Sequence, residues 1–110
     1  MAVRRLRPQL TPVDQVRAEA ARRMMALVGA RDERNLATII ANGTREAVRL
    51  QNKRLIDGLA WTPDETARAT ELRQVDAAIE AIRAASNLLE ANPPADIGSD
   101  VYWPTTTGPA

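Results

Sequence analysis

Between Thr62 and Asn92 the chain places Leu72, Val75, Ile79, Ile82, Ser86 and Leu89 at successive spacings of three, four, three, four and three. That alternation is the heptad-like seam of an α-helix packed nearly side by side with a neighbour. A strand, whose side chains change face at every residue, cannot present the same positions as one surface. The start is marked by Thr62-Pro63-Asp64-Glu65. Threonine caps, proline has no amide hydrogen to lose in the first turn, and Glu65 stands at the third position to close a capping box. Asn92-Pro93-Pro94 ends the run, because proline cannot continue a helical hydrogen-bond ladder. The opposite face carries Glu71, Arg73, Asp76, Glu80 and Arg83 and reads as solvated surface.

Two more helices precede this one. Thr11-Pro12-Val13-Asp14 repeats the same start signal, and Val13, Val16, Ala20, Met24 and Leu27 fall on one stripe until Gly29. The second helix begins near Asp32 and runs to about Asp57, with Gly58 behind it. Its apolar positions Leu36, Ile39, Ile40, Ala47, Val48, Leu50, Leu55 and Ile56 make a face wider than a single seam needs. Asn42-Gly43-Thr44 is either a break, with Thr44 capping a new helix, or a place where Gly43 on that face lets another helix approach; a continuous helix is expected through it.

The fold class expected is all-α, a three-helix up-down-up arrangement with extended arms at both ends. Residues 1–11 form the N-terminal arm, 12–92 the helical domain with helices at about 12–28, 32–57 and 62–91, and 93–110 a C-terminal tail. Alanine dominates the 45% apolar fraction, aromatics make up 3%, and phenylalanine is absent. Such a composition favours long helices over a thick core, so thin seams completed in part by other subunits are expected.

Composition also narrows the chemistry. There is neither histidine nor cysteine, so thiolate chemistry, disulfides and imidazole catalysis are excluded. The carboxylates are spread along helix faces, and Asp96 and Asp100 lack the dense ligand ladder of a calcium loop. Gly29, Gly43 and Gly58 are isolated and form no phosphate cradle. No catalytic, cofactor or metal residues are assigned, and no enzyme activity is expected. With 15 basic and 14 acidic residues the net charge is +1, which steers neither nucleic acid nor an anionic membrane. Arg4, Arg5 and Arg7 form a short basic arm, and Arg45, Arg49 and Lys53 form a row on the second helix. The row reads as a helix face pairing with neighbouring acids, and the lack of stacking aromatics argues against a dedicated nucleic-acid binder. No apolar run reaches the roughly 20 residues of a membrane span. The arginines of Met1–Pro8 are followed by no apolar stretch, so a secretory signal is not expected.

Binding to other proteins is the remaining class. Tyr102-Trp103-Pro104 sets two of the chain's three aromatics side by side in a Pro-, Gly- and Thr-rich tail. An aromatic pair there serves either as an anchor for a partner's pocket or as a cover folded back onto the chain's own seam. Tyr102, Trp103 and Pro104, with Arg4, Arg5 and Arg7, are the candidate partner-binding residues; Leu72, Val75, Ile79, Ile82 and Leu89 are the candidate seam. Trp61 is expected to cover the turn before the third helix.

The order of these features resembles a family. A Thr-Pro-Asp-Glu start leads through Ile82-Arg83-Ala84-Ala85-Ser86-Asn87 to Asn92-Pro93-Pro94, Asp96-Ile97 and Tyr102-Trp103-Pro104. This layout, over roughly residues 60–104, is similar to small proteins of the tail-gene region of tailed bacteriophages and prophages, and to the C-terminal part of tail-fibre assembly proteins. The resemblance implies a virion structural protein of the tail or baseplate, or a tail-fibre assembly chaperone. Its partners would be other virion proteins and copies of itself, in the virion or the cytoplasm of the producing bacterial cell. The alternative from another class is a small Arg-rich DNA-associated regulator or packaging factor.

Overall fold

A computed structural model describes residues 10–105. Three α-helices carry the chain: α1 (Pro12–Val28), α2 (Glu33–Leu55) and α3 (Pro63–Ala91), and a 3-10 turn follows at Asp100–Tyr102. Both Thr-Pro starts close reciprocal caps. Thr11 Oγ1 accepts from the Asp14 amide at 3.1 Å while Asp14 accepts from the Thr11 amide. Thr62 and Glu65 do the same, at 3.1 and 2.9 Å. Each box satisfies amides that would otherwise lack a helical partner, and such a cap is worth about 1 kcal/mol.

The breaks are equally local. Gly29 takes φ of 71°, the left-handed conformation that closes α1, and Asp32 caps α2 by accepting from the Asn35 amide at 2.6 Å. Gly58 adopts φ of 67° beyond α2. At Gly43 the helix continues without interruption, as its place on the apolar face suggests.

The sense of the helices differs from the expected up-down-up order. Arg17 reaches Glu90 near the far end of α3, and Leu27, ten residues on, packs against the cluster that contains Ile82. Rising along α1 therefore means descending along α3. On α2, Gly43 lies against Leu72, Glu46 pairs with Arg68, and Lys53 pairs with Glu65. That is also antiparallel. Hence α1 and α2 run in the same direction, one after the other, along a single long α3. The four residues from Gly29 to Asp32 are too few to return the chain to its starting end, so they only break and redirect one path. The result is elongated: the extents are 70 × 33 × 23 Å and the radius of gyration is 18.4 Å, against about 13 Å for a compact chain of this size.

The seam of α3 accordingly meets two partners in succession. Ile82 and Ser86 are buried and Leu89 packs at the edge of the Ile82 cluster on the α1 side, while Ile79 is buried where α3 passes to the α2 side. Leu72 and Val75 are half-buried on the α2 side, where Ala69, Leu36 and Leu50 are buried. Val16 and Ile82, at 0% and 1% exposure, are the most enclosed large side chains. They lie in one cluster with Ala20 and Trp103.

Trp103 overturns the expectation of an extended C-terminal tail. After Asn92-Pro93-Pro94 the chain turns at 95–98, forms the 3-10 turn, and returns Trp103 to the α1/α3 seam. The reason is a deficit in the seam itself. Ala20 and Ala85 are too small to fill the space between two helices, and an indole supplies the missing apolar surface. The expected arm residues Arg4, Arg5 and Arg7 lie outside the described residues, as do 106–110.

Candidate functional site

Two tryptophans close the two halves of the molecule in the same way. Trp61 donates from Nε1 to the Leu50 carbonyl at 2.7 Å, and the Arg54 guanidinium lies 4.0 Å from its ring centroid. Trp103 donates to the Ile97 carbonyl at 2.8 Å, with the Arg23 guanidinium 5.2 Å from its ring. In each case a buried indole N–H is satisfied by a carbonyl while a helix arginine covers the ring face.

Around Trp103 the segment 96–103, the strap, is tied down by charge as well as burial. Arg23 donates to the Gly98 carbonyl at 3.1 Å and to Asp100 Oδ1 at 2.8 Å. Glu19 is buried at 5% exposure and pairs with Arg22 and Arg23. Two cations therefore surround one desolvated carboxylate, and Gly98 packs over it. Tyr102 donates its hydroxyl to Asp96 at 2.7 Å, and that hydrogen bond to a carboxylate raises the phenol above its ordinary 10.0. Val101, in the same turn, is 82% exposed.

The α2/α3 half is built differently. Its edge is held by ion pairs: Arg68 bonds Glu46 through two nitrogens at 2.8 and 2.9 Å, and Lys53 meets Glu65 at 2.6 Å. The Arg68 fork holds Glu46 below its ordinary range. Glu65 is lowered first by Lys53 and then by the Thr62 amide of its capping box. Between these pairs and the end of α1 runs an open groove of about 630 Å³, whose apolar lining includes Ile39, Ile40, Ala47, Leu72 and Val75. Among the described residues no third element covers it as the strap covers the α1/α3 seam. Val48, on its α2 wall, is 48% exposed, and Leu55, Ile56 and Leu59 continue the apolar surface to the tip of the hairpin at 72%, 74% and 56%.

The sequence-derived candidates thus separate. Leu72, Val75 and Ile79 line the groove, whereas Ile82 and Leu89 belong to the α1 seam. Trp103 is inside its own chain rather than free for a partner, Tyr102 and Pro104 are half-buried beside it, and none of the three is an exposed anchor. The basic row also divides: Lys53 is engaged by Glu65, while Arg45 and Arg49 stay exposed on the back of α2. Sequence reasoning missed Glu19, whose place three and four residues before two arginines was its only signal. It missed the groove because that depends on α1 lying along the far half of α3 and not across the α2/α3 pair.

Among the described residues no three His, Cys, Asp or Glu side chains gather as a metal-binding group, and no helix is long and apolar enough to cross a membrane. Comparison with protein-family models, with curated proteins and with solved structures returns no match.

Proposed function

We propose that the chain is a structural, protein-binding subunit of a phage or prophage virion, of the tail or baseplate region, which docks on neighbouring subunits through the open face of its α2/α3 hairpin. One observation supports the binding surface: among the described residues, the same long helix is covered along one half by α1 and a tryptophan strap, and left with an open apolar groove along the other. A groove flanked by exposed Val48, Leu55, Ile56 and Leu59 exceeds the scattered apolar residues of an ordinary surface. The placement in a virion rests on the resemblance of residues 60–104 to phage tail-module proteins. Its partners on this reading are other virion proteins and further copies of the chain.

The test is incorporation. Val48→Asp introduces a charge on the groove wall at a half-exposed site, where the hairpin tolerates it; Val101→Asp does the same on the strap's outer face. Particles purified from the producing cells should contain the wild-type chain and the Val101→Asp variant, and should lose the Val48→Asp variant while its helical content stays unchanged. Equal incorporation of both variants would remove the groove from the account. Absence of the wild-type chain from particles would remove the virion.

A further inference from the structure

The strap is bonded to itself more completely than to the helices. Ser99 donates its amide to the Asp96 carbonyl at 2.9 Å, Trp103 its amide to Asp100 at 3.2 Å, Tyr102 its hydroxyl to Asp96, and the Trp103 indole its N–H to Ile97. Every one of these bonds begins and ends within residues 96–103. Two side-chain bonds from Arg23 and the burial of Trp103 join this unit to α1 and α3. Ahead of it, Pro93 and Pro94 have no amide hydrogens, and the last helical backbone bond is from Asn92 to Leu89. The strap is thus a pre-bonded plug on a hinge that surrenders no backbone bond by moving. Asp100 pairs with Arg23 on α1, and Gly98 lies over Arg22 and Glu19.

We infer that the α1/α3 seam is also an intermolecular site, and that its occupant is the 96–103 strap of a second copy of this chain. The contacts made by a neighbour's strap are identical to those made by the chain's own, so exchange loses no contact energy. What opposes it is the entropy of association. Copies held side by side in an assembly lower that barrier, because they raise the local concentration of straps to roughly millimolar. This inference rests on the reading of the chain as a subunit of a repeating assembly, and uses a surface separate from the α2/α3 groove.

The chain has no cysteine, so single thiols can be placed without background. A side chain at Gly98 would sit 3.9 Å from the Arg22 guanidinium and 3.8 Å from Glu19, in ordinary contact. Full-length Arg22→Cys and Gly98→Cys variants are mixed at high concentration, equilibrated and treated with a short bismaleimide. A covalent heterodimer that grows with concentration, and falls roughly a hundredfold when Trp103→Ala is added to the Gly98→Cys chain, is the expected result. The double variant Arg22→Cys/Gly98→Cys reports the strap's position within one chain. If it cross-links only within itself and the mixture gives no heterodimer, exchange is refuted. If neither cross-link forms, the strap does not occupy the seam and the inference fails as well. Either failure leaves incorporation of the Val48→Asp variant as a separate test of the proposed function.

Discussion

Replacing Trp103 by alanine removes the piece that completes the α1/α3 half. The indole is 5% exposed and shares a cluster with Val16, Ala20 and Ile82. A tryptophan hides about 200 Å² in such a setting, worth about 5 kcal/mol at 25 cal/mol per Å². Part of that is offset, because a strap without its anchor detaches and regains the conformational freedom that docking had removed. The expected loss is therefore about 3 kcal/mol, at the low end of Trp→Ala substitutions in cores. Urea unfolding followed by far-UV circular dichroism measures it, with Trp61 as an independent fluorescence probe of the α2/α3 half. Val101→Ala is the control: it sits in the same turn but is 82% exposed, and should change stability by less than about 0.5 kcal/mol. A loss below about 1 kcal/mol for Trp103→Ala, indistinguishable from the control, would refute the argument that the strap fills the seam.

Other expectations follow from single contacts. Glu46→Gln should weaken the fold at neutral pH by about 0.5 kcal/mol, since the Arg68 pair is partly exposed. Because Arg68 lowers the Glu46 pKa on folding, that contribution is present above the ordinary 4.5 and disappears as pH falls through the folded value; wild type and variant should converge in acid denaturation. Gly43→Ala should raise the melting temperature, by the equivalent of about 0.5–1 kcal/mol, because the added Cβ would lie 3.5 Å from Leu72 in ordinary contact. Gly29→Ala, at φ of 71°, should lower it by about 1 kcal/mol, so the two glycines respond with opposite sign in the same thermal melt. Thr62→Ala removes the cap of the longest helix and should cost about 1 kcal/mol by urea titration.

The helices were legible because their signals are local. Thr11-Pro12 and Thr62-Pro63 act within one turn, Gly29 and the Asn92-Pro93-Pro94 break act at single residues, and the α3 start, seam and end fall where the sequence places them. The sense of α1 was not legible, because an apolar stripe fits a seam in either direction and the decision is made by contacts distant in sequence, Arg17 with Glu90 and Leu27 with the cluster around Ile82; α2 runs antiparallel to α3, as it would in an up-down-up order. Trp103 shows the same limit: its neighbours in sequence are those of a loose tail, and only a seam left underfilled by Ala20 and Ala85, both distant in sequence, draws it inward. The seam residues could be named, yet not which of two helices each would meet. As for the groove, Ile39, Ile40, Leu72 and Val75 were all marked as apolar faces, but an uncovered face looks the same in sequence as a covered one.

On the proposed function, neighbouring subunits bind the open α2/α3 face. A photoreactive phenylalanine analogue at Val48, on the groove wall, and at Arg45, exposed and outside the groove lining, compares a groove position with a neighbouring one off the groove within the producing cell. The account predicts cross-links from position 48, and few from position 45, to a component that co-purifies with particles or to a second copy of the chain. Equal yields from both positions, or cross-links from position 45 alone, would contradict it.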